Sequence, residues 1–126
     1  MARTMDKMAM LAPIQKHDEY YTFRDKAAEN KCLMVVEFIS PRSVPCKEME
    51  RPFKDMITSK FQNNNKVLFY TADLNNLVNL ARELESEGAP SFVLVKDKAV
   101  KKHMVITRAE KLPTLQKEIE RQLEDI

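Results

Sequence analysis

The chain has 126 residues, of which 32% are charged and 44% hydrophobic, with a formal net charge of +2. That length holds one domain with a real core, and the near-neutral balance supplies no overall basic field for a nucleic acid. Two cysteines are too few for a disulfide framework and point to free thiols in a reducing compartment, the cytoplasm by default.

Residues 1–7 are expected to be a flexible start. The apolar run Met8 to Ile14 is broken by Pro13 and preceded by Asp6, which does not suit a secretory signal. A mitochondrial presequence is the weaker alternative, since Asp6 and the want of an Arg-rich face count against it. No stretch is long enough to span a bilayer, so no membrane partner is expected. Residues 8–15 read as a short strand. Asp18 can then cap a helix whose apolar surface is Tyr20, Tyr21, Phe23 and Ala27 and which ends at "AENK". "CLMVVEFIS", residues 32–40, is a nearly unbroken apolar run, as in a strand buried on both faces, stopped by Pro41 and Pro45.

From Cys46 to about Phe61 the apolar residues Met49, Phe53, Met56 and Ile57 recur at helical steps, with a kink expected at Pro52. "QNNN" is a loop and "KVLFYTA", residues 66–72, a second strand. A helix joining the two strands makes them a right-handed parallel βαβ unit. Asp73, Asn75 or Asn76 can cap the next helix, striped by Leu77, Leu80, Ala81 and Leu84 and ended by Gly88. "SFVLV" and "AVKKHMVI" form a hairpin through "KDK". The last helix carries Leu112, Leu115, Ile119, Leu123 and Ile126 on one face. Thr107 and Glu110 have capping-box spacing, but Pro113 favours a later start. With one glycine in the chain, turns must be made by proline, asparagine and aspartate, or be loose. The whole is an α/β fold: a central mixed sheet flanked by helices on both faces, in a single domain over residues 1–126.

The element order and the motif "VVEFISPRSVPCK" resemble the thioredoxin superfamily. Val35, Val36, Glu37 and Phe38 match the family's strand, and Ser43-Val44-Pro45-Cys46-Lys47 match its Cys-x-x-Cys-Lys loop at unchanged length. "GAPSF", residues 88–92, matches the segment whose proline is cis in the family. The resemblance covers roughly residues 30 to 126. It implies that the first loop position attacks a substrate disulfide and the second resolves the mixed disulfide. Here the first position is Ser43, whose hydroxyl does not ionise near neutral pH, and only the resolving sulfur of Cys46 remains. Arg42 stands where the family has tryptophan, Val44 where glycine is usual between the cysteines, and Ile106 where a glycine borders the substrate groove, which its bulk would obstruct. Glu37 takes the place of the family's buried acid, a proton relay to the resolving thiol.

Each residue also has a plain structural reading. Cys46 can be a buried small hydrophobe, Cys32 a strand-end core residue, Glu37 a strand end near solvent, and Ser43 a helix cap. Three functions follow. A non-catalytic binding or adaptor module would recognise a protein partner through Arg42, Val44, Pro45, Ala89, Pro90 and Ser91, or through the basic run Lys96, Lys98, Lys101, Lys102 and His103. An enzyme of narrower scope, a monothiol disulfide oxidoreductase or isomerase, would form mixed disulfides with glutathione or a partner protein through Cys46. Self-association through exposed methionines, eight in all, is the third. No metal or cofactor is expected. His17 and His103 lack ligand spacing, one glycine cannot build a phosphate loop, and Ser43 has no elbow pattern or histidine base.

Overall fold

The structure, a computed structural model, describes residues 11–126. The expected flexible start, the first residues of the strand at 8–15 and the N-terminal methionines fall outside them.

Five strands form one sheet in the order β1-β3-β2-β4-β5. They are β1 (Leu11–Ile14), β2 (Leu33–Ile39), β3 (Val67–Asp73), β4 (Ser91–Lys96) and β5 (Ala99–Val105). β1 and β2 both run parallel to β3, while β4 is antiparallel to β2 and to β5. The sheet is therefore mixed, and the parallel pair of the two apolar runs is present. Four α-helices cover it: α1 (His17–Glu29), α2 (Val44–Met56), α3 (Val78–Glu83) and α4 (Leu112–Leu123).

Strand alternation sorts the core into two layers. Leu33 and Val35 on β2, with Phe69, Phe92 and Leu94, pack against α2 and α4. Met34, Val36 and Phe38, with Val93 and Val95, pack against α1 and α3. Burial on both faces explains why β2 reads as an unbroken apolar run. Phe53 anchors α2 by edge-on contacts to Phe69 and Phe92, with ring centroids 6.0 and 5.1 Å away.

Element ends differ from the sequence reading in physically legible ways. α1 is capped at Lys16, with Asp18 inside its first turn. The Glu19 carboxylate accepts from the Gln15 and Lys16 amides, at 2.8 and 3.4 Å, and so holds the approach to the helix. α2 begins at Val44 with Ser43 as its cap, runs through Pro52, and widens into a π-helical turn over Ile57–Phe61. Asp73 closes a side-chain turn onto the Asn75 amide at 2.8 Å, and α3 starts only after Leu77. α3 stops at Glu83, with Glu85 left-handed at φ 57°, so Gly88 does not end it. Lys31, Asp97 and Lys98 are also left-handed, so charged residues stand where glycine or asparagine would cost least. α4 starts at Leu112 with Pro113 in its first turn, while Glu110 pairs with Arg108 instead of closing a box with Thr107. It ends at Leu123, leaving Ile126 exposed and bringing Gln122 into the buried face.

Candidate functional site

The site grows from the C-terminal end of β2. After Ile39 the chain turns through Ser40–Arg42, and Ser43 opens α2. The Ser43 hydroxyl accepts a hydrogen bond from the Cys46 amide at 3.3 Å, satisfying one of the helix's free N–H groups. Pro45 lies in the first turn, where its missing N–H costs nothing. This arrangement buries Cys46, which is 6% exposed, and turns its sulfur toward the strand end. The Ser40 amide donates to Sγ at 3.4 Å. The sulfur is thus a hydrogen-bond acceptor at the head of the helix, while burial withholds solvent and reactants from it.

Arg42 and Val44 stand on the outside of the loop, Val44 59% exposed, with Pro45 half-buried beside them. On the neighbouring strand the Ala89–Pro90 bond is cis, and Ser91 pairs with Phe38, which brings Pro90 level with Ile39 at the same end of the sheet. The Pro90 carbonyl accepts from the Ile106 amide at 3.3 Å. Two expectations change here. Ser91 is buried, and its hydroxyl shares a 2.8 Å hydrogen bond with Ser86, so it supports the Pro90 loop from beneath rather than presenting a polar contact. Ile106 is 4% exposed and joins the α2-side core, so it does not stand up in the groove. The exposed apolar neighbour is instead Val105, 50% exposed and paired with Ser91. The basic run spans the end of β4, the hairpin turn and β5; Lys101, Lys102 and His103 are exposed, and Lys96 is held by the Gln122 carbonyl at 3.0 Å.

Glu37 lies on the α2 side of β2, between Val35 and Ile39, and is 3% exposed. Burial, with the Glu50 carboxylate adding to it and the Lys54 ammonium opposing, pushes its carboxyl up to about 8. Oε2 is fully buried without a hydrogen-bond partner. Glu37 and Cys46 line one cavity of about 490 Å³ together with Leu11, Pro13, Thr71 and, from α2, Lys47, Glu50 and Lys54. Of the two readings of Glu37, the structure has the buried, raised acid and not the strand end near solvent, and it lines the same cavity as the thiol. Sequence reading missed Glu50, Lys54 and Thr71. The signal was present: Cys46, Glu50 and Lys54 recur every four residues on one helix face. Cys32, at the start of β2, is a core residue whose thiol donates to the Asn65 and Asn30 carbonyls, at 3.4 and 3.6 Å. No cluster of metal-ligating side chains occurs among the described residues.

Comparison with known proteins gives the same frame. The profile of the family described as Thioredoxin matches residues 14–121. The chain is 31% identical over 91 residues to putative thioredoxin H10 of Arabidopsis thaliana, covering 72% of this chain and 54% of that protein. It is 35% identical over 71 residues to thioredoxin H2-2 of rice, Oryza sativa subsp. japonica, covering 56% and 49%. The chain thus spans about half the length of these curated relatives. Among solved structures, thioredoxin NaTrxh of Nicotiana alata superposes with a TM-score of 0.75 at 21% identity, covering 89% of this chain and 91% of that one. Fasciola hepatica thioredoxin gives 0.73 at 17% identity, covering 87% and 97%. With the family profile matched over most of its length and the fold shared, the chain belongs to the thioredoxin family.

Proposed function

We propose that this thioredoxin-like domain recognises a protein partner without turning over disulfides as a dithiol reductase. One observation carries the reading. At the position of the first loop cysteine stands Ser43, and its oxygen is engaged as the cap of α2. Dithiol exchange needs an attacking thiolate there and a second sulfur to release the product. The hydroxyl supplies neither, while it stabilises the turn that the motif occupies. The loop instead offers recognition surface: the Arg42 cation, the exposed Val44, Pro45, Ala89 and the neighbouring Val105. The two free cysteines fit a reducing location such as the cytoplasm. None of the helices among the described residues is long and apolar enough to cross a membrane.

A second reading, monothiol exchange through Cys46 with glutathione or a partner protein, draws on the Ser40 amide aimed at its sulfur. In that step the Cys46 thiolate attacks a disulfide, one S–S bond forms as another breaks, and the expelled sulfur leaves as a thiolate. Burial of Cys46 weighs against it. Insulin reduction by dithiothreitol-coupled turnover tests the main reading. The native chain is expected to stay at background, and thioredoxin-like turnover would end the proposal. Labelling of folded Cys46 by glutathione disulfide would move the choice to the second reading.

A further inference from the structure

The cavity beside Glu37 is built like a binding site, and the recognition loop does not require it. Its floor is the upper half of the sheet near the β1 edge: Leu11, Pro13, Ile39 and Thr71. Its wall is the face of α2 that carries Cys46, Lys47, Glu50 and Lys54. At its depth the buried Glu37 carboxyl keeps one oxygen without a partner. A buried polar atom of this kind is costly unless something that enters the chamber satisfies it. Glu37 is the one buried acid among the described residues, and its Oε2 the one buried side-chain oxygen or nitrogen there without a partner.

We propose that this cavity binds a small monocarboxylate with a short apolar body. The Glu37 carboxyl donates its proton to the ligand's carboxylate, and the Lys47 and Lys54 ammonium groups neutralise that charge at the mouth.

Charge selects the class. Lys54 is paired with Glu50 at 3.3 Å, whereas Lys47 has no ion pair among the described residues. The lining from β1 and β3, Leu11, Pro13 and Thr71, carries no charge, and Cys46 adds only its thiol. With Glu37 neutral, the surroundings therefore carry two cations against one anion. Burial and Glu50 keep Glu37 protonated at neutral pH, so it acts as a donor. A neutral acid donating to a carboxylate makes a short, charge-assisted hydrogen bond. A cationic ligand would have to ionise Glu37 and pass both lysines. Size selects the body, because about 490 Å³ lies toward the small end of ligand cavities and the floor is mostly apolar.

Benzoate, titrated into the full chain and followed by amide chemical shifts, tests this. Saturable shifts are expected along residues 37–40 and 69–72, with butylamine giving none. Because the protonated acid is required, affinity should fall about tenfold between pH 7 and pH 9. Glu37→Gln keeps a donor, so it should bind benzoate without that pH dependence, and Glu37→Leu should lose binding. Should Glu37→Leu misfold, Lys47→Ala with Lys54→Ala supplies the readout, a severalfold loss of affinity that salt no longer modulates. The proposal is overturned by an absence of saturable benzoate shifts in the native chain, by binding that survives Glu37→Leu, by affinity that rises with pH, or by a preference for butylamine. None of these outcomes bears on the disulfide assay above.

Discussion

The two cysteines are almost equally buried, 6% exposed for Cys46 and 7% for Cys32, yet they sit in opposite chemical settings. Cys46, at the head of a helix, receives a hydrogen bond from the Ser40 amide. Cys32, at the foot of the same strand, gives its proton to two backbone carbonyls, and burial pushes its thiol up with only Lys66 opposing. Burial alone therefore does not distinguish the two sulfurs; the direction of the hydrogen bond does, Cys46 accepting and Cys32 donating.

The largest expected change comes from giving Cys46 the partner that the loop lacks. Ser43→Cys should raise insulin reduction from background by orders of magnitude, whereas a cysteine placed beside Cys32, as in Asn30→Cys, should not. If Ser43→Cys stays at background, the loop geometry and not the missing sulfur is what silences the site.

Glu37 lines the same cavity as Cys46 and titrates near neutral pH. Its folded value of about 8 lies above its ordinary value of 4.5. The folded state therefore holds a proton that the unfolded chain releases. Stability should fall as pH rises from about 4.5 to about 8, by about 5 kcal/mol in all, and level off above. Denaturant unfolding of the native chain and of Glu37→Gln, compared at pH 5 and pH 9, reads this directly. The difference between the two proteins should vanish if the acid is not buried.

Phe53 holds the helix that presents Cys46. Phe53→Ala should cost about 3–5 kcal/mol, as truncated buried aromatics do, and should expose Cys46 before Cys32. In the intact fold both thiols should react with iodoacetamide about a hundredfold or more slower than in the unfolded chain, the factor for an opening that costs about 3 kcal/mol. Labelling of Cys32 should be held back further at neutral pH and gain in alkali, as its raised thiol ionises. The smallest effect is Ser43→Ala. Loss of the cap should lower stability by about 1 kcal/mol without creating or removing disulfide turnover.

Much of the frame was legible in the residues. A nearly unbroken apolar run marked β2 because both faces of that strand are covered. Helical spacing of Met49, Phe53 and Met56 marked α2, and the cap at Ser43 followed from its place before Pro45. The reading failed where a residue's role depends on what lies across space. Ser91 looks like a surface contact until Ser86 is seen to hold it. Ile106 looks like an obstruction until the core is seen to enclose it. The end of α3 was assigned to Gly88 because glycine is the cheapest left-handed residue, but Glu85 takes that conformation.

By itself the sequence determined the order of elements and the mixed α/β sheet, because periodicity and turn chemistry are local properties; that Ser43 takes the place of an attacking cysteine is what the family resemblance implies. Only the tertiary structure decided that Cys46 is enclosed, that Glu37 is neutral beside it, and that the two share a chamber with Lys47 and Lys54. Those properties come from desolvation and from side chains that converge from three strands and a helix, and no window of sequence contains them.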